Sequence, residues 1–321
     1  MVDVTVVLGV HAHCDRLISS LESVRQQQGE LSWECLVVAN GGFRPNQRFA
    51  ELLRSDSRLR VLESPKTGLT PALALGCQQS HGALIARLDV GDVMAPGRLF
   101  SQAQAFYQHP DLVLATSDVE ICGPVWEHLR TDSQSAATGI PQWVNTVPAE
   151  QGIAIDIPHH ASVMVRREAY EAAGGYRPEF YFGQDWDLWY RLSSEGTFVH
   201  QPEVLTRVRL FSDGLSSRHW REQREIAKLS LACHVARNCG QEEIQLLQLA
   251  AAVHPKPKAK NWLPWDGRRA EGAYFIGEAL RRNGDRRCRS YFCEAIRYGF
   301  WKPRIWVRAC QAVTVQNKVC C

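Results

Sequence analysis

Short β-branched runs alternate with segments of helical spacing along residues 4–116, and that alternation leaves few folds open. Residues 4–10 (VTVVLGV) read as a strand that turns at Gly9. Leu17, Ile18, Leu21 and Val24 follow at helical spacing, which predicts a helix over residues 15–27. Residues 35–39 (CLVVA) form a second apolar run, closed by the turn Asn40-Gly41-Gly42. Phe49, Leu52 and Leu53 place a second helix, and residues 59–62 a short strand. Residues 70–79 read as a helix with Thr70 as N-cap and Pro71 as its first residue. Residues 84–88 are a strand running into Asp89, and residues 112–116 another. Strands alternating with helices predict an α/β protein with a parallel, doubly wound sheet. In such sheets ligands bind beyond the carboxyl ends of the strands, here residues 9–13, 40–42 and 89–92.

The later pattern differs. Residues 119–157 are irregular and rich in Ser, Thr, Gly and Pro, which suggests loops around a cleft. Residues 161–166 return to strand, followed by a helix over 167–173, the turn Gly174-Gly175 and a helix over 185–193. From Arg218 the pattern is helical, interrupted by a Pro- and Lys-rich linker over 254–264. Residues 270–316 suggest a helix pair whose spacing of Gly277, Gly284, Ala295 and Pro303 resembles one tetratricopeptide-like unit. Charge divides the chain at nearly the same place. Residues 1–214 carry 17 basic and 25 acidic side chains, and residues 215–321 carry 20 basic and 9 acidic. An overall charge of +3 therefore hides an acidic front and a basic back. No run of about 18 apolar residues exists and no basic segment precedes a long apolar one, so neither a membrane span nor a signal peptide is expected. The 11 cysteines are scattered, with no C-x-x-C pair, which favours a reducing, cytoplasmic setting over a disulfide or zinc scaffold.

Three motifs carry chemistry. Arg87-Leu88-Asp89-Val90-Gly91-Asp92 sits at a strand end. Asp89 and Asp92 there either hold a divalent cation that binds a diphosphate, or belong to a turn in which Asp92 caps the next helix. Gln184-Asp185-Trp186-Asp187 opens a helix, where the dipole favours ionised carboxylates. A carboxylate fixed there is either a general base for a hydroxyl nucleophile or ordinary N-terminal helix charge. His159-His160 precedes a strand and is either ligand or acid/base, or a loop hydrogen-bonding pair.

Taken in order, the first strand, Asn40-Gly41-Gly42, Gly68-Leu69-Thr70-Pro71-Ala72-Leu73-Ala74-Leu75-Gly76, ALIARLDVGDVMAPGRL, HHASVMVRREAYEAAGGYR and QDWDLWYRL resemble glycosyltransferase family 2. The resemblance covers roughly residues 3–217 and is nearest to the bacterial subgroup acting on polysaccharides. It implies the GT-A fold, a doubly wound mixed sheet, over residues 1–217, with a basic helical extension over 218–321. It also implies an inverting transfer of sugar from a nucleotide-diphosphate donor to a glycan or lipid-linked hydroxyl. Carried over by position, Gly9, Val10 and His11 would lie against the nucleotide. Asn40 would stand where the family has the acid that hydrogen-bonds the base, and Lys66 would reach base or phosphate. Arg87 and Asp89 would stand near ribose and sugar. Asp185 would be the catalytic base, with His160, Gln184, Trp186 and Asp187 on the acceptor side or supporting it. A Mn²⁺ or Mg²⁺ ion would sit at Asp89 and Asp92. The chain departs from the family pattern in four places. Gly91 replaces the second metal-binding acid, Phe211 falls near a common metal-contacting His, Gln184 replaces a Glu, and Ala39-Asn40 replaces two acids.

Those departures motivate the alternative of a catalytically weak sugar-nucleotide or glycan-binding scaffold in a polysaccharide assembly complex. A dehydrogenase is excluded because Gly9-Val10-His11-Ala12-His13-Cys14 is not G-x-G-x-x-G. No nucleic-acid motif accompanies the basic back, so no nucleic-acid partner is expected. Residues 215–321 carry Trp220, Trp262, Trp265, Trp301 and Trp306 among their basic residues. They either contact an anionic membrane surface peripherally or form a helical cap with buried tryptophans.

Overall fold

The structure, a computed structural model, describes residues 2–11, 14–133, 142–143, 158–212, 214, 219–255 and 266–315. The chain forms two compact units. The first comprises Met1–Val119, Ser133–Val208 and Arg224–His254, and the second Glu120–Asp132, Arg209–Gln223 and Pro255–Cys321. This grouping differs from a single division at residue 217. Residues 224–254 cluster with the first unit because Ile226, Cys233 and Ala250 pack with Phe180 and Phe182.

In the first unit, strand β1 (Val4–Val10) is flanked by β2 (Trp33–Ala39) and β4 (Leu84–Arg87), both parallel to it, and β3 (Leu59–Glu63) extends the sheet beyond β2. A strand covered on both faces reads as an unbroken apolar run, which explains VTVVLGV. Helices α1 (Cys14–Arg25), α2 (Gln47–Ser55) and α3 (Leu69–Gln78) connect these strands. Beyond β4 the sheet becomes mixed. The strand β5 (Val93–Met94) and helix α4 (Arg98–Gln108) lead to β6 (Leu112–Cys122). After β7 (His128–Asp132) and β8 (Gln142–Trp143), β9 (Met164–Arg166) inserts antiparallel between β4 and β6. The long β10 (Thr197–Arg209) pairs antiparallel with β5 and β8. The strand order is β3-β2-β1-β4-β9-β6-β10-β5. This is the GT-A-like α/β arrangement, and only its first half matches the all-parallel expectation from alternation.

Two expectations change in detail. Helix α3 starts at Leu69 with Gly68 as N-cap, because the Thr70 hydroxyl donates instead to the Phe180 carbonyl at 2.7 Å. Asp92 caps no helix, since α4 begins at Arg98 with Gly97 before it.

Helix α3 lies close on β1. A Cβ at Gly76 would stand 2.5 Å from Val7 Cγ1 and 3.0 Å from Val38 Cγ2. Gly76→Ala overpacks this seam and is expected to destabilise the protein by about 1–3 kcal/mol. Denaturant unfolding checks this, and an unchanged midpoint would show that the helix can shift freely on the sheet.

Helices α5 (Arg167–Ala172), α6 (Gln184–Leu192), α7 (Trp220–Asn238) and α8 (Ile244–Ala251) follow. The second unit holds α9 (Gly267–Arg282), α10 (Cys288–Gly299) and α11 (Pro303–Val313), three helices where the sequence suggests a pair. Ala270, Ala273, Ala295 and Ile305 form their small core. The linker residues 256–264, the tryptophans Trp262 and Trp265, and Cys320-Cys321 lie outside the described residues. Among the described residues no helix is long and apolar enough to cross a membrane.

Candidate active site

The site is built at the ends of β1, β2 and β4 and at the start of α6. At the end of β1, Val10 is buried, and Asn40 N donates to its carbonyl at 2.8 Å. The exposed His11 places Nδ1 2.7 Å from the Asn40 carbonyl. A carbonyl only accepts, so Nδ1 carries a proton in this bond. Glycine follows Asn40 for a reason: Gly41 has φ 93°, in the left-handed region that side chains rarely adopt. The Asn40 side chain is buried, whereas Lys66 is exposed just before α3.

Arg87 organises the end of β4. Its guanidinium is 2% exposed and donates through Nη1 to the carbonyls of Val7 (2.5 Å) and Leu88 (2.7 Å). Through Nε it donates to His160 Nε2 at 3.1 Å, and through Nη2 it pairs with Asp89 Oδ1. Tyr176 Oη lies 2.9 Å from the same His160 nitrogen. Burial, reinforced by Arg87, pushes His160 down to about 3. His160 is therefore a neutral ring accepting at Nε2. Burial acts upward on Asp89, but the Arg87 guanidinium outweighs it and holds the carboxyl below its usual range.

Asp185 lies in the first turn of α6, after Gly183 in the left-handed region (φ 57°). A Cβ at Gly183 would stand 2.7 Å from Ile226 Cγ2, so glycine is needed twice over. Burial pushes Asp185 up to about 6; the Asp89 charge adds to this, while helix N–H groups and Arg87 oppose it. Asp89, Arg87, His160, Tyr176 and Asp185 thus share one electrostatic neighbourhood. The two carboxyls are pushed in opposite directions, Asp89 down and Asp185 up to about 6, which makes Asp185 the better proton acceptor of the two.

The neighbours of Asp185 divide. Gln184 is buried and Trp186 half-buried. Asp187 is fully buried and lines no cleft. Its Oδ2 accepts from Arg191 Nη2 (2.6 Å) and Nε (3.0 Å), and Arg177 stands 3.7 Å from Oδ1. Arg191 also donates to the carbonyls of Ala173 and Gly175, and Arg177 donates to Glu243 at 2.6 Å. Asp187 therefore anchors the helix that carries Asp185.

Asp92 is also buried. Its backbone N donates to the Asp89 carbonyl at 3.1 Å across the turn at Gly91 (φ 105°), and its charge acts on the buried Arg98. Among the described residues no three His, Cys, Asp or Glu side chains gather as a metal cage. The donor set fits a cation only through Asp89, whose Oδ1 is already taken by Arg87 and whose side chain is 37% exposed. Tyr176, Arg98 and Arg177 escaped the sequence reading. The signal for Tyr176 was the Gly174-Gly175 turn, where Tyr170 Oη accepts from Tyr176 N at 3.1 Å.

The sequence signature described as "Glycosyl transferase family 2" matches residues 5–174, more than half of the chain. The chain belongs to glycosyltransferase family 2. It is a glycosyltransferase, and every site residue up to Gly174 named above lies inside the matched segment. It is 28% identical over 209 residues to the amylovoran biosynthesis glycosyltransferase AmsE of Erwinia amylovora, covering 64% of this chain and 74% of that protein. It is also 28% identical over 224 residues to the O-antigen biosynthesis protein RfbC of Myxococcus xanthus, covering 67% of this chain and only 16% of that longer protein. The solved structure of S. aureus TarS 1–349 in complex with UDP superposes with a TM-score of 0.52 at 11% identity, covering 97% of this chain and 88% of that one. That likeness speaks for the fold.

Proposed function

We propose that this family 2 glycosyltransferase moves a sugar from a nucleotide-diphosphate donor to a hydroxyl of a glycan or lipid-linked acceptor in bacterial polysaccharide synthesis, with inversion at the anomeric carbon. The observation that carries this reading is Asp185, a carboxylate raised to about 6 at a helix start and electrostatically coupled to Asp89 and Arg87. A base of that strength is largely ionised at neutral pH and still takes a proton readily. Asp185 deprotonates the acceptor hydroxyl, whose oxygen attacks the anomeric carbon as the bond to the diphosphate breaks.

Gly9, Val10, His11, Asn40 and Lys66 form the nucleotide side of the site, at the strand ends where doubly wound sheets take their ligands. The names of AmsE and RfbC support polysaccharide synthesis, and the UDP bound to TarS supports a nucleotide donor. Arg87 and neutral His160 fix the Asp89 carboxylate for ribose or sugar. The free oxygen of Asp89 would share a divalent cation with the donor diphosphate, the usual way Mg²⁺ is held, and the cation would offset charge on the leaving group.

A donor screen with UDP- and GDP-sugars tests the reading through free nucleotide release and the anomeric configuration of the product. The base must be ionised, so kcat/KM should climb as pH rises through about 6 and level off above it. Retention of configuration would sink the single displacement. Binding of donor with no turnover of any sugar would favour the scaffold reading.

A further inference from the structure

Helix α11 is apolar on two sides. Ile305 and Ala312 are buried within the second unit. On another face, Trp306, Val307, Cys310 and Val313 recur at i, i+1, i+4 and i+7, so they form one stripe. Trp306 is 47% exposed, Val307 55% and Val313 69%, and Phe300 and Trp301 just before the helix are each 46% exposed. The polar atom of Trp306 is satisfied internally, since Nε1 donates to the Phe300 carbonyl at 2.7 Å. A contiguous aromatic and aliphatic patch of this kind marks a contact surface.

Charge says which partner the patch fits. No Asp or Glu follows Glu294 in the sequence, whereas Arg297, Lys302, Arg304, Arg308 and Lys318 do. Glu271 pairs with both Lys302 and Arg304, and Glu278 lies 3.7 Å from Arg308, so cations outnumber the acids that reach this segment. At the far end of the helix, Arg286 and Arg289 donate to the carbonyls of Ala312, Val313 and Val315, which brings two more guanidinium groups to the edge of the stripe. Exposed tryptophans beside a surplus of basic side chains over the two acids, Glu271 and Glu278, that pair with them complement the headgroup region of an anionic bilayer.

We propose that this face of α11, with Phe300 and Trp301, docks the enzyme on an anionic lipid surface. The aromatic and valine side chains enter the boundary between headgroups and acyl chains while the arginines meet lipid phosphates. The inference deepens the proposed function by placing the enzyme where a lipid-linked acceptor would be, but its geometry does not depend on that function.

The test is co-sedimentation of the full chain with vesicles of phosphatidylcholine alone or with about a third phosphatidylglycerol. Partitioning should be about tenfold or more stronger on the anionic vesicles and weaken with salt, and Trp306→Ser with Val307→Ser should lower it about tenfold. Both positions are exposed, so the melting curve should stay unchanged and separate docking from folding. Equal binding to both vesicles, or binding indifferent to the double substitution, would overturn the proposal. So would a lipid-free dimer dissolved by the same substitution, which would assign the face to a second copy of the chain. Donor binding measured by calorimetry without lipid keeps the readings apart: vesicle binding without sugar-nucleotide binding supports docking and sinks the donor assignment.

Discussion

Asp185→Asn is expected to lower turnover by about 10²–10⁴-fold, the usual contribution of a positioned general base, and at the same time to stabilise the protein. The second effect follows from linkage. The Asp185 carboxyl is raised from 3.8 to about 6 in the fold, so between these values the native state holds a proton that the unfolded chain has lost. Stability therefore falls as pH rises through that window, and the charge costs the fold at neutral pH. Asparagine keeps an oxygen for the helix N–H groups and removes the charge, so a gain of about 1–2 kcal/mol is expected at neutral pH and none below about pH 4. Thermal melts of both proteins at these two pH values, beside a transfer assay, check both halves. Full activity in the variant would remove Asp185 from the reaction, and an unchanged melting temperature would mean that the site tolerates the charge without strain.

The second large effect concerns the neighbouring acid and has the opposite sign for stability. Asp187→Asn should destabilise the first unit by about 3–5 kcal/mol, because it leaves the buried Arg191 uncompensated. Arg191 then has only the carbonyls of Ala173 and Gly175 as partners, and Arg177 retains Glu243. For a unit of this size the melting temperature should drop on the order of 10 °C. Activity should fall through loss of folded protein, with the pH profile of the remaining enzyme unchanged. Replacing the pair together, Asp187→Leu with Arg191→Met, should recover much of the loss, since an apolar pair of similar volume fills the same space. A single variant as stable as the parent would show that water or a neighbouring group neutralises Arg191.

These two acids stand two residues apart in one motif and have opposite fates, which marks the limit of sequence reading here. QDWDLWYRL announces a helix start with two carboxylates. Helical geometry alone does not say which one faces the site and which one Arg191 captures one turn later. The histidine at 160 illustrates the same point. Its neutral state comes from burial, reinforced by Arg87, a residue 73 positions away in the chain that donates to its Nε2. Asp92 looks like half of a metal pair in the linear motif, yet the turn at Gly91 carries it into the interior beside Arg98.

The elements themselves show a similar division. β1, β2 and β4 are legible because strands buried on both faces must be apolar throughout. β10 is not, because Pro202 and the polar residues around it break both the alternation and the apolar run. α4 gives little warning as well, since its buried face includes Arg98 and Gln102, polar side chains satisfied by distant backbone carbonyls.

The sequence by itself determined the α/β class, the strand ends where ligands bind, the order of motifs that places the chain in its family, and the concentration of basic charge at the back. Each of these depends on residues close together in the chain, where periodicity and turn chemistry act. The mixed sheet was implied by the family resemblance, but tertiary structure alone decided that β9 is where it turns, that Asp185 is the acid pushed up to about 6, that Asp187 is a buried anchor, and that α11 leaves a second apolar face open. Each of these depends on which distant groups share a low-dielectric space, and burial, ion pairing and pKa are set there by three-dimensional proximity.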